Sequence, residues 1–298
     1  AHTASMSALK LLILLLLIGG LSACAGRAPV PPPLELRAWD APGRPKAVIL
    51  ALHSFGDYSA AFDLAAPDLA AAGYQVYGFD QAGFGARTLA DGRWAGEARL
   101  VADAADTARR LAERHPDTPL FLLGESLGGA VAMLVASRHP EIPLRGLILA
   151  APAVREGIRL RYGWNVLIGS AATLAPGYHL DVERAPDDPH LAPAAARRRA
   201  NDPLVMHEVR MDAYWGLIQL ADSASDEADR ITVPTLLLYG DLDTSVPAVG
   251  IQRLRDRLGA HGDYQTFPRG PHLLLQGRHW PRVTATIKRW AGARATPR

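Results

Sequence analysis

Leu120-Phe121-Leu122-Leu123-Gly124-Glu125-Ser126-Leu127-Gly128-Gly129 is an apolar run of strand length that stops at a serine held between glycines. The segment after it, Ala130-Val-Ala-Met-Leu-Val-Ala-Ser-Arg138, consists largely of good helix formers, so the whole reads as a buried strand turning sharply into a helix. Such a turn is a nucleophile elbow, in which the serine is strained so that its hydroxyl stands clear above the sheet edge. Positions two before and two after must then be small. Gly124 and Gly128 meet that demand, and Gly129 with Ala130 lets the helix lie close to the sheet. Ser126 is the candidate nucleophile. G-x-S-x-G recurs by chance in glycine-rich chains, and it is the strand before and the helix after that give it weight here.

Outward from the elbow, apolar runs at 46–53, 74–80, 144–152 and 234–240 read as strands covered on both faces. Residues 34–39 alternate apolar with polar side chains and predict a half-exposed edge strand, and 264–267 a short last strand. Helices are expected at 60–72, closed by Gly73, and at 97–114, 246–258 and 280–290. Strands alternating with helices mean an α/β fold, a doubly wound, mostly parallel sheet with helices on both faces. Between 153 and 232 the alternation breaks. Two apolar helical segments, 164–174 and 211–220, are joined there by a Pro-, Asp- and Arg-rich stretch too long for a loop, which predicts a helical cap inserted over the strand ends. The core is thus expected at 34–152 and 233–298 with the cap at 153–232.

The amino-terminal residues predict a different kind of segment. Residues 1–5 precede Met6 and read as a cloning remnant. Lys10 followed by the apolar residues 11–21 has the build of a signal peptide (6–23), far short of the ~20 residues that a spanning helix needs. It ends in Leu21-Ser22-Ala23-Cys24, which resembles the lipobox of bacterial lipoproteins, cleaved before a cysteine that is then lipidated. Cys24 is the only cysteine in the chain, so the expectation is a lipid anchor at Cys24, with an ordinary secretory cleavage site as the alternative. By the same resemblance, Ala25 after the cysteine fits delivery to the outer membrane, facing the periplasm. Residues 24–33, with four prolines, are then an extended tether, spanning roughly 25 Å at about 3.1 Å per residue.

Composition narrows the function classes. A formal charge of +2, spread over both halves, gives no reason to expect a nucleic-acid partner. A single cysteine excludes an intramolecular disulfide and any cysteine-rich metal site. Phosphate-binding glycine loops, H-E-x-x-H and calcium loops are absent from the sequence, so no metal or organic cofactor is implied.

A serine hydroxyl needs a base to take its proton, and the base needs a carboxylate to fix its tautomer. In a doubly wound sheet these come from loops at the carboxyl ends of later strands. Gly240-Asp241-Leu242-Asp243 follows an apolar strand, and Asp243 is the candidate carboxylate, with Asp241 better placed to cap the turn. Of ten histidines, His272 and His279 lie beyond the last predicted strand. His272 sits just after strand and turn and is the candidate base; His279 falls at the start of the last helix. His115, His139, His179, His190, His207 and His261 are expected on the surface. The oxyanion needs preorganised donors, for which the candidates are the backbone N–H groups of Leu127 and of Phe55, in the loop after the strand ending at His53.

Taken together, the chain resembles the alpha/beta-hydrolase superfamily and, within it, the monoacylglycerol lipase and lysophospholipase group. The resemblance covers residues 34–291 and rests on His53-Ser-Phe-Gly-Asp57, Phe79-Asp-Gln-Ala-Gly-Phe-Gly85, Gly124-Glu-Ser-Leu-Gly-Gly129, Asn201-Asp-Pro-Leu204, Gly240-Asp-Leu-Asp243 and Pro271-His272. Ser54 departs from the glycine usual at its place and Ala82 from a frequent arginine. The resemblance implies a serine hydrolase of carboxylic esters, with single-chain lipids as substrates. Alternatives are a short-chain carboxylesterase, a peptidase of similar fold, or a silent hydrolase fold acting as a binding module. Arg197-Arg198-Arg199 reads as a solvated helix face in preference to a contact for anionic lipid headgroups. The apolar helix at 164–174 is expected both to pack on the core and to line an acyl tunnel.

Overall fold

The computed structural model describes residues 29–154 and 164–295. The predicted leader and Cys24 lie outside the described residues. The described residues from 31 onward gather into one compact unit. Its centre is a seven-stranded sheet made of β1 (Arg37–Trp39), β2 (Ala47–Leu52), β3 (Tyr74–Gly78), β4 (Leu120–Glu125), β5 (Leu144–Ala150), β8 (Thr235–Gly240) and β9 (Gly262–Phe267). Their order in the sheet is β1-β3-β2-β4-β5-β8-β9. Only β1 runs antiparallel in this sheet, with Arg37 opposite Gly78 and Trp39 opposite Val76.

Period-two alternation divides each central strand between two cores. Leu50, Leu122, Leu149 and Leu237 enter one, together with α2 (Glu97–Arg114), α3 (Leu127–Arg138) and α7 (Ala248–Leu258). Ile49, Phe121, Ile148 and Leu238 enter the other, against α1 (Ala65–Ala71) and α8 (Trp280–Ala295). This is the doubly wound, mostly parallel α/β sheet that the apolar runs imply.

Several local expectations are corrected. The helix expected at 60–72 is a 3₁₀ turn, Ser59–Phe62, followed by α1. Pro67 has no N–H and its ring excludes a helical carbonyl four residues earlier, so it is accommodated only within the first turn of a helix starting at Ala65. At the other end of the chain, α8 runs to Ala295 rather than 290. The tether does not extend to 33. Pro31 is buried and the Pro32 carbonyl accepts a hydrogen bond from Arg87 Nε at 2.9 Å, as the outward carbonyls of an extended proline run allow.

The insertion between β5 and β8 carries α4 (Trp164–Leu174), β6 (His179–Asp181), α5 (Pro193–Asn201), β7 (Glu208–Arg210) and α6 (Met211–Asp226). Sequence reading places α4 but misses three of these elements and ends α6 six residues early. β6 and β7 form a short antiparallel pair, and α5 begins on a proline at its first position, where the missing N–H costs nothing. α6 continues past Leu220 because Ala221 and Ala224 keep its apolar stripe buried.

Candidate active site

Ser126, Asp243, His272 and Phe55 all follow the carboxyl ends of strands, β4, β8, β9 and β2 respectively, so the sheet itself brings residues distant in sequence to one edge. Ser126 has φ 53° and ψ −110°, a left-handed backbone that a non-glycine residue adopts only when its surroundings enforce it. The enforcement is visible. A Cβ on Gly124 would collide with the Gly128 carbonyl, and one on Gly128 with the Leu52 carbonyl, so strand, elbow and helix close on one another only because both positions are bare. The Ser126 N–H donates to Ala150 O at 3.0 Å, and its carbonyl accepts from Ala130 and Ala153, which fixes the elbow to the neighbouring strand.

Ser126 Oγ lies 2.9 Å from His272 Nε2, and His272 Nδ1 lies 2.7 Å from Asp243 Oδ2. The Asp243 carboxylate has no exposed surface, and its other oxygen accepts the N–H groups of Ser245 at 2.8 Å and Val246 at 2.9 Å. Asp243 therefore both faces the histidine and holds the turn. Asp241, expected to cap that turn with its side chain, is exposed, and its backbone N–H bonds to Phe267 O at 3.2 Å. Gly240 permits the close approach, since a Cβ there would strike the Gly270 carbonyl of the loop that carries His272. His279 is exposed and takes no part. Of the histidines assigned to the surface, His115, His139 and His207 are half-buried, with His115 Nε2 2.9 Å from the Tyr77 hydroxyl and His207 Nε2 3.0 Å from Asp202 O.

Leu127 opens α3, and its N–H precedes the first intrahelical bond, which runs from Ala130 N–H to Ser126 O. Phe55 packs edge-on to Phe84, with centroids 5.3 Å apart, and lines the cavity that holds Ser126 and His272. Among the described residues neither amide has a hydrogen-bond acceptor. His53 anchors this loop. Its Nε2 accepts the Gln81 N–H at 2.9 Å, so the proton sits on Nδ1 and is donated to Ser54 O at 2.8 Å; burial lowers the pKa of the ring and keeps it neutral. Ser54 Oγ is buried in the same loop and has no partner among the described residues.

A second constellation, which sequence reading does not find, surrounds this loop. The fully buried Asp57 accepts from Arg198 through both oxygens, at 2.8 and 3.0 Å, from Arg199 at 2.5 Å and from Gln276 Nε2 at 3.2 Å. Gln276 also bonds Glu125 Oε1 at 3.3 Å, and the Leu275 N–H bonds Glu125 Oε2 at 3.0 Å, so the loops carrying the candidate nucleophile, base and oxyanion donor share one polar network with α5. Tyr58 hydroxyl donates to Asp202, and Met206 N–H to Gly56 O at 2.8 Å. Burial alone would raise the Asp57 carboxyl, but the arginines overcome it and hold it at about 2; burial of Glu125, without a cation in contact, pushes that carboxyl up. Arg198 and Arg199 are thus not on a solvated face, whereas Arg197 is exposed.

The cavity over Ser126 and His272 measures about 360 Å³, and its apolar wall includes Phe55, Val154, Tyr214, Leu217, Ala221 and Leu273. Of the cap helices, α6 supplies Tyr214, Leu217 and Ala221 and α5 supplies Arg199. Helix α4, expected to line a tunnel, stands one layer out, with Ile168 and Ala172 packed on Met211 and Ile218 and with Val166, Leu167 and Leu174 exposed. Among the described residues, no three His, Cys, Asp or Glu side chains are grouped as a metal site requires.

Comparison with known proteins places the chain in a family. The chain is 32% identical over 269 residues to the monoglyceride lipase of Mus musculus, covering 85% of this chain and 84% of that one. It is 24% identical over 222 residues to the phospholipase YtpA of Bacillus subtilis, covering 73% and 84%. The crystal structure of Paleococcus ferrophilus monoacylglycerol lipase superposes with a TM-score of 0.74 at 22% identity, over 88% of this chain and all of that one, and so shares its fold. The family described as serine aminopeptidase, S33, matches residues 43–278, a span that holds the elbow, Asp243 and His272. A strained serine, a histidine and a buried carboxylate in one hydrogen-bonded line lie within that match, and the chain belongs to this monoacylglycerol-lipase-like family of alpha/beta-hydrolases and is a serine hydrolase.

Proposed function

We propose that the protein hydrolyses carboxylic esters of single-chain lipids through an acyl-enzyme on Ser126. His272 Nε2 takes the Ser126 proton as Oγ attacks the ester carbonyl, and the same nitrogen later returns it to the leaving alcohol. Asp243 holds the Nδ1 proton and stabilises the imidazolium that forms. The N–H groups of Phe55 and Leu127 receive the oxyanion. Water then attacks the acyl-enzyme with His272 as base, restoring the hydroxyl. The observation that carries this reading is the line Ser126 Oγ to His272 Nε2, 2.9 Å, and His272 Nδ1 to Asp243 Oδ2, 2.7 Å, at the floor of a half-apolar cavity.

Several features support a lipid substrate. The relatives named above include lipases and a phospholipase. One cavity of about 360 Å³ adjoins the serine, toward the small end of ligand pockets, which suits one acyl chain better than two. Each methylene buried against Leu217, Ala221 and Val154 is worth about 0.8 kcal/mol, or roughly fourfold in kcat/KM, until the wall ends. The lipoprotein-like leader, which would place the domain beside a bacterial membrane through Cys24, is part of the same reading and rests on the sequence alone.

Steady-state kinetics on one monoacylglycerol series of rising chain length is the test. The expected profile climbs from acetyl to medium or long chains, with diacyl lipids poor throughout. A maximum at acetyl or butyryl that collapses beyond would transfer the reading to a short-chain carboxylesterase.

A further inference from the structure

Three guanidiniums crowd the oxyanion loop. Arg198 and Arg199 both face Asp57, and a third guanidinium, that of Arg184, lies over Gly56, where a Cβ would come within 3.5 Å of its Nη2. Arg184 donates to the Met206 carbonyl, which offers no charge. Of the other acidic groups around the network, Glu125 lies in a buried position that disfavours its charged form, and Asp202 acts on Arg198 through space and bonds the Tyr58 hydroxyl. Asp57 is the carboxylate that Arg198 and Arg199 contact directly. Arg184 is driven down to about 10, chiefly by burial and then by repulsion from Arg199.

Arg199 is the member of this group on the cavity wall that also holds Ser126 and His272. Its side chain is 11% exposed, and it gives one N–H to Asp57 of the five that a guanidinium carries. Ser54, on the same wall, is 3% exposed, with a hydroxyl lacking a partner among the described residues. A buried hydroxyl is costly when it has no partner, and beside a cavity it marks a place where a ligand can supply the acceptor; the Arg199 N–H groups not spent on Asp57 stand on the same wall. Guanidinium forks suit the tetrahedral oxygens of phosphate, which accept several bonds and carry the opposite charge.

We propose that Arg199 and Ser54 form a subsite for the anionic phosphate of the substrate's alcohol portion, so that the preferred single-chain ester is a lysophospholipid rather than a neutral monoacylglycerol. This inference rests on the function proposed above, but its test does not need lipid hydrolysis. Dodecyl phosphate and dodecanol, each below its micellar concentration, are compared as competitive inhibitors of p-nitrophenyl butyrate hydrolysis by the full chain.

In the wild type the phosphate is expected to inhibit at least tenfold more strongly than the alcohol. Arg199→Gln should reduce that ratio about tenfold, Arg199→Lys less, and Ser54→Ala severalfold. A wild-type ratio near one overturns the proposal without any variant, as does a ratio that survives both Arg199→Gln and Ser54→Ala. Inorganic phosphate inhibiting as strongly as dodecyl phosphate would assign the donors to free phosphate and overturn the headgroup reading. The phosphate preference with no turnover of either lysophospholipid or monoacylglycerol would leave the subsite standing and remove the lipid-esterase reading instead.

Discussion

Asp57→Asn removes one charge from the centre of the polar network while keeping its shape. The carboxylate has no exposed surface and receives four side-chain bonds, two of them from Arg198, so the amide that replaces it turns N–H groups toward guanidinium donors. Breaking a buried ion pair by removing one partner costs roughly 3–5 kcal/mol, because the remaining charge is left desolvated. Part of this is visible through pH. A carboxyl held at about 2 instead of its ordinary 3.8 corresponds, at 1.36 kcal/mol per pH unit, to about 2 kcal/mol of stability from ionisation.

Since the folded state holds the group below its unfolded value, that contribution is complete above about pH 4 and is lost as pH falls toward about 2. Urea unfolding of both proteins at pH 7, 5, 3 and 2 reads it as a difference, which cancels the carboxylates common to both. The gap is expected to be roughly 3–5 kcal/mol at pH 7 and to shrink by about 2 kcal/mol between pH 5 and pH 2. A gap below about 0.5 kcal/mol at pH 7, or one that does not change with pH, would refute the assignment of Asp57 as the anionic centre of the network.

Ser126→Ala and His272→Ala should each lower kcat by a factor on the order of 10⁴ or more, with the double variant little worse, because the residues act as one unit; in the same assay Asp243→Asn should be far more damaging than Asp241→Asn. Gly128→Ala pushes a methyl into the Leu52 carbonyl and should abolish activity with a drop in Tm of several degrees, read by calorimetry and ester hydrolysis together; an active, stable variant would contradict the elbow geometry. Cys24→Ser should leave a chain without an acyl group, checked by mass spectrometry of the mature amino terminus, and a wild-type terminus that begins elsewhere than Cys24, unmodified, would remove the lipid anchor.

The strands and the elbow were legible because their signals are local. Residues 120–129 contain both the apolar strand and the glycines that its turn requires, and the loops after β8 and β9 announce themselves by following apolar runs. The network around Asp57 was illegible because its members are contributed by residues 57, 125, 198, 199 and 276, and no local pattern links them. One clue was present. Ala195 and Ala196 are buried, and Arg198 and Arg199 lie three positions on, so helical spacing puts both arginines on the inward face and leaves Arg197 outside. Charge content led the sequence reading to the opposite face. In the cap, α5 and the β6–β7 pair were hidden by the same cause, since a stretch rich in Pro, Asp and Arg shows little apolar periodicity when its stabilising contacts are polar.

The central claim is that Ser126 is a nucleophile activated by His272. Intact-mass and peptide mapping after brief exposure to an alkyl fluorophosphonate tests it directly, because the reagent bonds only to a serine whose proton a neighbouring base can take. The expected result is a single adduct on the peptide carrying Ser126, absent from Ser126→Ala and strongly slowed in His272→Ala. A wild-type protein that stays unlabelled, or an adduct that persists at the same rate in Ser126→Ala, would contradict the claim.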